Sequence, residues 1–187
     1  MSINQNTDTP KFSASGGTGV RIFLIGFMGC GKTHWGNLLS QHLQVPFFDL
    51  DQKLTEKEER PITKIFEEEG EEYFRLLEKD VLHLLTESHE SFVMACGGGT
   101  PCYYNNIDYM NSKGTTIWIN CSPDCLFSRL VKEKEGRPLI KDLSVDQLLS
   151  YIIKKTSDRN IFYQQAKVIL TEKDVTLERL TENLTLS

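Results

Sequence analysis

Gly26-Phe27-Met28-Gly29-Cys30-Gly31-Lys32-Thr33 fits the pattern G-x-x-x-x-G-K-[ST] and has the parts of a polyphosphate cradle. The glycines let the backbone curl so that amides from Gly29 to Thr33, Cys30 included, converge on phosphate oxygens. The helix that follows adds the partial positive charge of its N-terminus. Lys32 supplies a mobile charge for the β and γ phosphates, and Thr33 a hydroxyl for Mg²⁺. A chance match in a chain this long is on the order of one in a hundred at average residue frequencies. The loop therefore implies a nucleoside triphosphate with Mg²⁺ and leaves open whether the phosphate is held or moved.

Four further stretches carry residues able to act on an acceptor. Asp49 and Asp51 stand two apart at the end of an apolar run, and strand alternation puts them on one face. Ligands of open parallel sheets sit beyond the strands' carboxyl ends, so one acid would approach Mg²⁺ and the other a hydroxyl. A solvated acidic turn explains the same pair equally well. Arg75 lies in "GEEYFRLLE", four residues after Glu71 and three before Glu78, and alone it reads as a helix-surface ion pair. Gly97-Gly98-Gly99 implies close approach of backbone to a ligand, or a flexible turn. Arg137 falls in a charged stretch broken by Gly and Pro, residues 133–144, where it could swing onto phosphates as a lid closes. Arg159, with Tyr163 one turn later, is plain surface if taken in isolation.

These residues need a frame, and the apolar pattern supplies one. Short strand-like runs fall at residues 21–25, 45–51, 91–96, 115–120 and 167–171. Helical patterns fall at 32–43, 61–69, 71–87, 103–112, 123–132, 147–163 and 177–184, with Gly70 separating the second from the third. On the first helix Trp35, Leu38, Leu39 and His42 recur at helical spacing. Strands alternating with helices imply an α/β fold, a parallel sheet covered on both faces.

Length and composition fit one soluble domain. The chain has 187 residues, 39% hydrophobic and 25% charged. No apolar run approaches the roughly 20 residues that span a bilayer. Residues 1–19 are polar and read as a disordered leader without a signal-peptide core, so the expected location is cytoplasmic. A net charge of −5 argues against nucleic acid as a partner. Five scattered cysteines lack zinc spacing and read as reduced, mostly buried thiols, although Cys30 beside a helix N-terminus is placed for oxidation.

Taken together, the phosphate loop, Asp49-x-Asp51, "IFEEEGEEYFR", Gly97–Gly99, "GRPL" and Arg159 with Tyr163 resemble the shikimate kinase family, block by block and in order, from about residue 21 to 170. The resemblance implies a three-layer P-loop kinase fold of the nucleoside-monophosphate-kinase type, with a five-stranded parallel sheet in order 2-3-1-4-5. It implies one domain over residues 20–187, substrate-binding helices at about 51–87 and a mobile lid at about 133–146; with no strong dimer seam visible in the sequence, a monomer is expected. The activity implied is Mg²⁺-dependent transfer of the γ-phosphate of ATP to the 3-hydroxyl of shikimate, in aromatic amino acid biosynthesis.

Carried over by position, Asp51 is the candidate base and substrate ligand, and Asp49 lies near the metal shell, acting through water. Arg75 and Arg159 grip the substrate carboxylate, Gly97, Gly98 and Gly99 line its pocket, and Phe66 and Phe74 form apolar walls. Lys32 and Arg137 join Asp51 as catalytic groups, Arg137 reaching the transferred phosphate. A gluconate-kinase-like enzyme and a non-catalytic nucleotide-binding domain are the competing readings. Three departures from the family pattern stand out: Ile161 where a proline is usual, Arg60-Pro61 before the first block, and Cys30 in place of Ala or Ser.

Overall fold

Short, near-continuous apolar runs become strands when both faces can be covered, and five do so here. In the computed structural model, which describes residues 19–134, 137, 139–182 and 184, the strands are β1 (Arg21–Ile25), β2 (Phe47–Asp49), β3 (Phe92–Ala95), β4 (Thr115–Asn120) and β5 (Val168–Thr171). All neighbours pair in parallel, in the order β2-β3-β1-β4-β5. This is the sheet order expected for a P-loop kinase.

Alternation along the strands divides the core in two. Ile22, Leu24, Val93, Ile117 and Ile119 face one side, where α1 (Lys32–Leu43), α5 (Pro123–Glu133), α6 (Val145–Tyr163) and α7 (Leu177–Glu182) contribute Leu39, Leu126, Leu130, Leu148, Ile152 and Leu180. Phe23, Ile25, Phe92, Met94 and Trp118 face the other side. There α2 (Leu50–Glu58), α3 (Ile62–Ser88) and α4 (Asn106–Lys113) pack with Leu54, Phe74, Leu82, Ile107 and Met110. The connections leaving β1 and β3, which are neighbours, thus run to opposite faces of the sheet. A crevice opens between the carboxyl ends of those strands.

Several expected boundaries move, each for a local reason. The helix read at 103–112 begins later, because Tyr104 and Asn105 take left-handed backbone (φ 50° and 56°) after a short 3-10 turn at Thr100–Cys102. α6 begins two residues earlier than read, because Ser144 and Gln147 form a reciprocal capping box. Gly70 does break α3, with φ 83° and ψ 175°. On α1 the buried face is Gly36, Leu39 and Ser40; Leu38 is 37% exposed and His42 is also exposed. The polar leader (residues 1–18) and residues 135, 136 and 138 of the expected lid lie outside the described residues.

Gly114, just before β4, presses on the start of β1: a Cβ there would stand 2.3 Å from the Arg21 carbonyl oxygen. Backbone cannot step aside as a flexible side chain does. Gly114→Ala is therefore expected to destabilise by about 1–3 kcal/mol, as overpacking does. That lowers the melting temperature by roughly 3–10 °C for a domain of this size. Calorimetry checks it, and an unchanged melt would mean that the two strand starts are not tightly packed.

Candidate active site

The phosphate loop closes on itself. Gly26, Gly29 and Gly31 have φ of 138°, 79° and 99°, which lets the chain turn from β1 into α1 within six residues. Lys32 Nζ donates to the carbonyls of Gly26 (2.9 Å) and Phe27 (3.0 Å), so the lysine lies folded over the loop. Arg129 Nη1 braces the loop from α5 through the Gly29 carbonyl at 3.0 Å. A cavity of about 240 Å³ opens here, lined by Gly29, Gly31, Lys32, Thr33, Asp49, Asp51 and Arg137, among others. Cys30 is not among its walls. Its amide donates to Phe27 at 3.3 Å, and its side chain is 1% exposed, packed in the core rather than open to oxidants.

Thr33 Oγ1 donates to Asp49 Oδ2 at 2.8 Å, and Asp49 Oδ1 accepts the Gln52 amide at 3.3 Å. This corrects the strand argument for the two acids. β2 ends at Asp49, which caps α2, and Asp51 belongs to the first turn of that helix. They share a cavity because one caps the helix that carries the other, not because strand side chains alternate. The cap wins over the strand because Asp accepts well from the exposed amides of a first helical turn.

A second cavity of about 600 Å³ adjoins the first, and Met28, Asp51, Gly97, Gly98 and Arg137 line both. Its walls include Phe66, Phe74, Arg75, Gly99 and Arg159. Arg75 is not the surface residue that its acidic neighbours imply. It is buried on α3, with Nη1 donating to Glu78 Oε2 at 2.8 Å, and Nε and Nη2 both donating to Glu71 Oε1 at 3.2 Å. Three rings surround the guanidinium: Tyr103 at 4.4 Å, Phe74 at 5.0 Å and Phe66 at 5.8 Å. Burial works against its charge, yet Glu78 and Glu71 outweigh that and hold its pKa above the ordinary value.

The three glycines have a definite reason. A Cβ on Gly97 would meet Glu78 Oε1 at 2.7 Å and Asp51 Oδ1 at 3.0 Å; one on Gly98 would meet Arg159 Nη1 at 3.0 Å. On Gly99 it would stand 2.7 Å from Arg75 Nη1. The strip is bare so that the protein's own charged side chains can lie against backbone. Tyr163 fixes it from α6, its hydroxyl donating to the Gly98 carbonyl at 2.5 Å. Arg159 lies 5.5 Å over the Phe27 ring and has no carboxylate partner among the described residues. Arg137 pairs with Glu133 at 2.6 Å.

Asp51 is exposed where it opens on both cavities, while the protein ringing its carboxylate on the other sides takes away part of its hydration. That desolvation, with the charges of Glu78 and Asp49 nearby, raises its pKa from 3.8 to about 6 against the opposing pull of Lys32 and Arg75. Glu78 itself, 1% exposed, also accepts from Thr100 Oγ1 at 2.5 Å. Glu78 was legible only as an acid on the apolar stripe Phe74, Leu77, Val81, Leu82, a position that burial would forbid without partners. Tyr103, Thr100 and Arg129 left no signal in the sequence.

A family model described as shikimate kinase matches residues 28–185. The chain belongs to the shikimate kinase family. A shikimate kinase from Azobacteroides pseudotrichonymphae is 40% identical over 164 residues, 88% of this chain and 96% of that one. One from Bacteroides fragilis is 43% identical over 150 residues, 80% and 83% of the two chains. Among solved structures, shikimate kinase from Bacteroides thetaiotaomicron superposes with a TM-score of 0.84 at 38% identity, over 89% of this chain and 98% of that one. The Acinetobacter baumannii enzyme in complex with shikimate gives 0.76 at 28%, over 90% and 92%. Ile161, one of the departures noted in the sequence, is 67% exposed on α6, which runs on to Tyr163, and Arg159 lines the larger cavity.

The raised pKa of Asp51 has a cost. Its carboxylate is less stable folded than unfolded, so the folded state is penalised wherever Asp51 is ionised, above about pH 6. Asp51→Asn is therefore expected to raise the melting temperature of the ligand-free protein at pH 8. The gain should shrink as pH falls from about 6 toward 3.8, where the wild-type acid is protonated in both states. Melts at pH 8 and pH 4.5 test it; equal melting at pH 8 would refute the penalty.

Proposed function

We propose that this chain transfers the γ-phosphate of ATP to the 3-hydroxyl of shikimate, giving shikimate 3-phosphate and ADP on the route to the aromatic amino acids. Family membership supports the class of reaction. The observation that carries the reading is the meeting of two cavities at Asp51 and Arg137, one floored by the phosphate loop and one holding two further arginines, Arg75 and Arg159.

In this reading, the loop amides and Lys32 hold the phosphates, and Lys32 exchanges the Gly26 and Phe27 carbonyls for phosphate oxygens. Arg159, lacking a carboxylate partner, and Arg75, already gripped by its own acids, receive the carboxylate of shikimate as planar forks. Phe66 and Phe74, with rings 4.4 Å apart, wall its ring. Asp51 orients the acceptor hydroxyl and takes its proton as the oxygen bonds to the γ-phosphorus and the bond to the ADP oxygen breaks. Arg137 leaves Glu133 for the transferred phosphate. Positioning and charge supply most of the rate.

Mg²⁺ fits the donors available. Thr33 and Asp49, whose side-chain oxygens are hard donors at the phosphate end of the cavity, would hold it, Thr33 directly and Asp49 through water. When bound, the ion neutralises charge between the β and γ phosphates. The helices at 51–87 and the lid at 133–146 belong to a single domain, working as a cytoplasmic monomer without nucleic acid or membrane. Among the described residues no helix is long and apolar enough to cross a bilayer.

A coupled ADP-release assay with Mg-ATP and shikimate, quinate or gluconate tests the reading. Release that depends on shikimate is expected; release with gluconate alone, or with none of the three, overturns it. Asp51→Asn should keep ATP affinity and lose about 10²–10⁴-fold in kcat, the range for a general base. Because Asp51 acts ionised, kcat/KM for shikimate should fall on the acid side of about pH 6.

A further inference from the structure

We propose that Arg60 is a positioning residue for the acceptor: its three ion pairs latch a hinged helical wall of the larger cavity in place. The inference rests on the functional reading above and concerns residues 62–69, the first part of α3. That segment is bounded by two breaks. Pro61 is extended (φ −61°, ψ 149°) between α2 and α3, and Gly70 leaves helical geometry altogether (φ 83°, ψ 175°). Nothing lies within 4 Å of where a Gly70 Cβ would be, so its glycine serves the backbone break and not a close contact.

Between these breaks the segment is weakly anchored. Residues 71–88 bury Phe74, Arg75, Leu77, Glu78, Val81, Leu82 and Thr86, whereas 62–69 buries Ile65 alone. Yet this segment contributes Ile62, Thr63, Phe66 and Glu67 to the cavity wall. Phe66 also stands against Phe74 and faces the Arg75 guanidinium. A small swing of the wall would therefore alter acceptor fit, while none of these four residues lines the phosphate cavity.

Arg60 supplies the missing hold. Its guanidinium bonds Glu68 at 2.5 Å and Glu69 at 3.1 Å, at the far end of the segment, and Glu58 at 2.9 Å, at the end of α2. Tyr73 extends the latch past the hinge, its hydroxyl donating to Glu58 at 3.2 Å. Single surface pairs contribute little, but here one planar fork joins three carboxylates, and the Arg60 and Glu58 side chains are only 23% and 13% exposed.

Arg60→Met keeps the apolar stem and removes the fork. At low salt its KM for shikimate should rise about 3–10-fold, with kcat within about twofold and KM for ATP unchanged; Arg60→Lys should fall between. The ratio of mutant to wild-type KM should approach one in 0.5 M NaCl, where the wild-type latch is screened. Unchanged shikimate KM, or a joint loss in kcat and both KM values that tracks the melting temperature, overturns the proposal. Hydrogen exchange without any ligand reads the latch separately. Arg60→Met should speed exchange in 62–69 and leave 71–88 unchanged, and equal exchange in 62–69 would refute the latch. If wild type releases no ADP with shikimate while exchange responds as expected, the functional reading fails and the latch stands.

Discussion

The arrangement depends on keeping two opposite charges, Arg75 and Glu78, inside the protein beside a third, Asp51. A buried charge without a partner costs several kcal/mol, so neither Arg75 nor Glu78 is tolerable alone. Glu78 satisfies Arg75 on one side, Glu71 satisfies it on another, and Thr100 donates to the remaining Glu78 oxygen. Such crowding is possible only against backbone without side chains, and the run Gly97–Gly99 provides it. The glycines, the acids and the arginine form one device, whose parts stand on α2, α3 and the connection after β3.

That device sets the chemistry. Glu78 holds Arg75 in place and at the same time raises the pKa of Asp51. For the base proposed here, a pKa near 6 leaves the group ionised at neutral pH yet able to accept a proton, a better match to that role than an ordinary carboxylate. Stability is given up in exchange, since the carboxylate of Asp51 is less stable in the folded protein than in the unfolded chain. The phosphate loop contributes less individuality. Its lysine is satisfied by two of the loop's own carbonyls, those of Gly26 and Phe27.

Much of this was legible because local rules dominate. The short apolar runs marked the strands, and Gly70 marked a true break. The phosphate loop announced itself through spacing that few other functions require. Elsewhere local rules misled. Alternation put Asp49 and Asp51 on one strand face, but an aspartate able to cap a helix ended the strand at once. Helical spacing of charges made Arg75 look like surface, because i,i+3 and i,i+4 pairs look alike whether wet or buried.

The sequence alone determined the alternation of elements, the donor half of the site and, through the order of its blocks, the family. Those features are short-range in the chain, so composition and spacing specify them. Tertiary structure decided which charges are buried, and therefore the state of Asp51 and the grip on Arg75. It also gave Arg60 its partners, eight and nine residues away across a hinge. Burial and electrostatics are sums over neighbours distant in sequence, and no window of residues contains them.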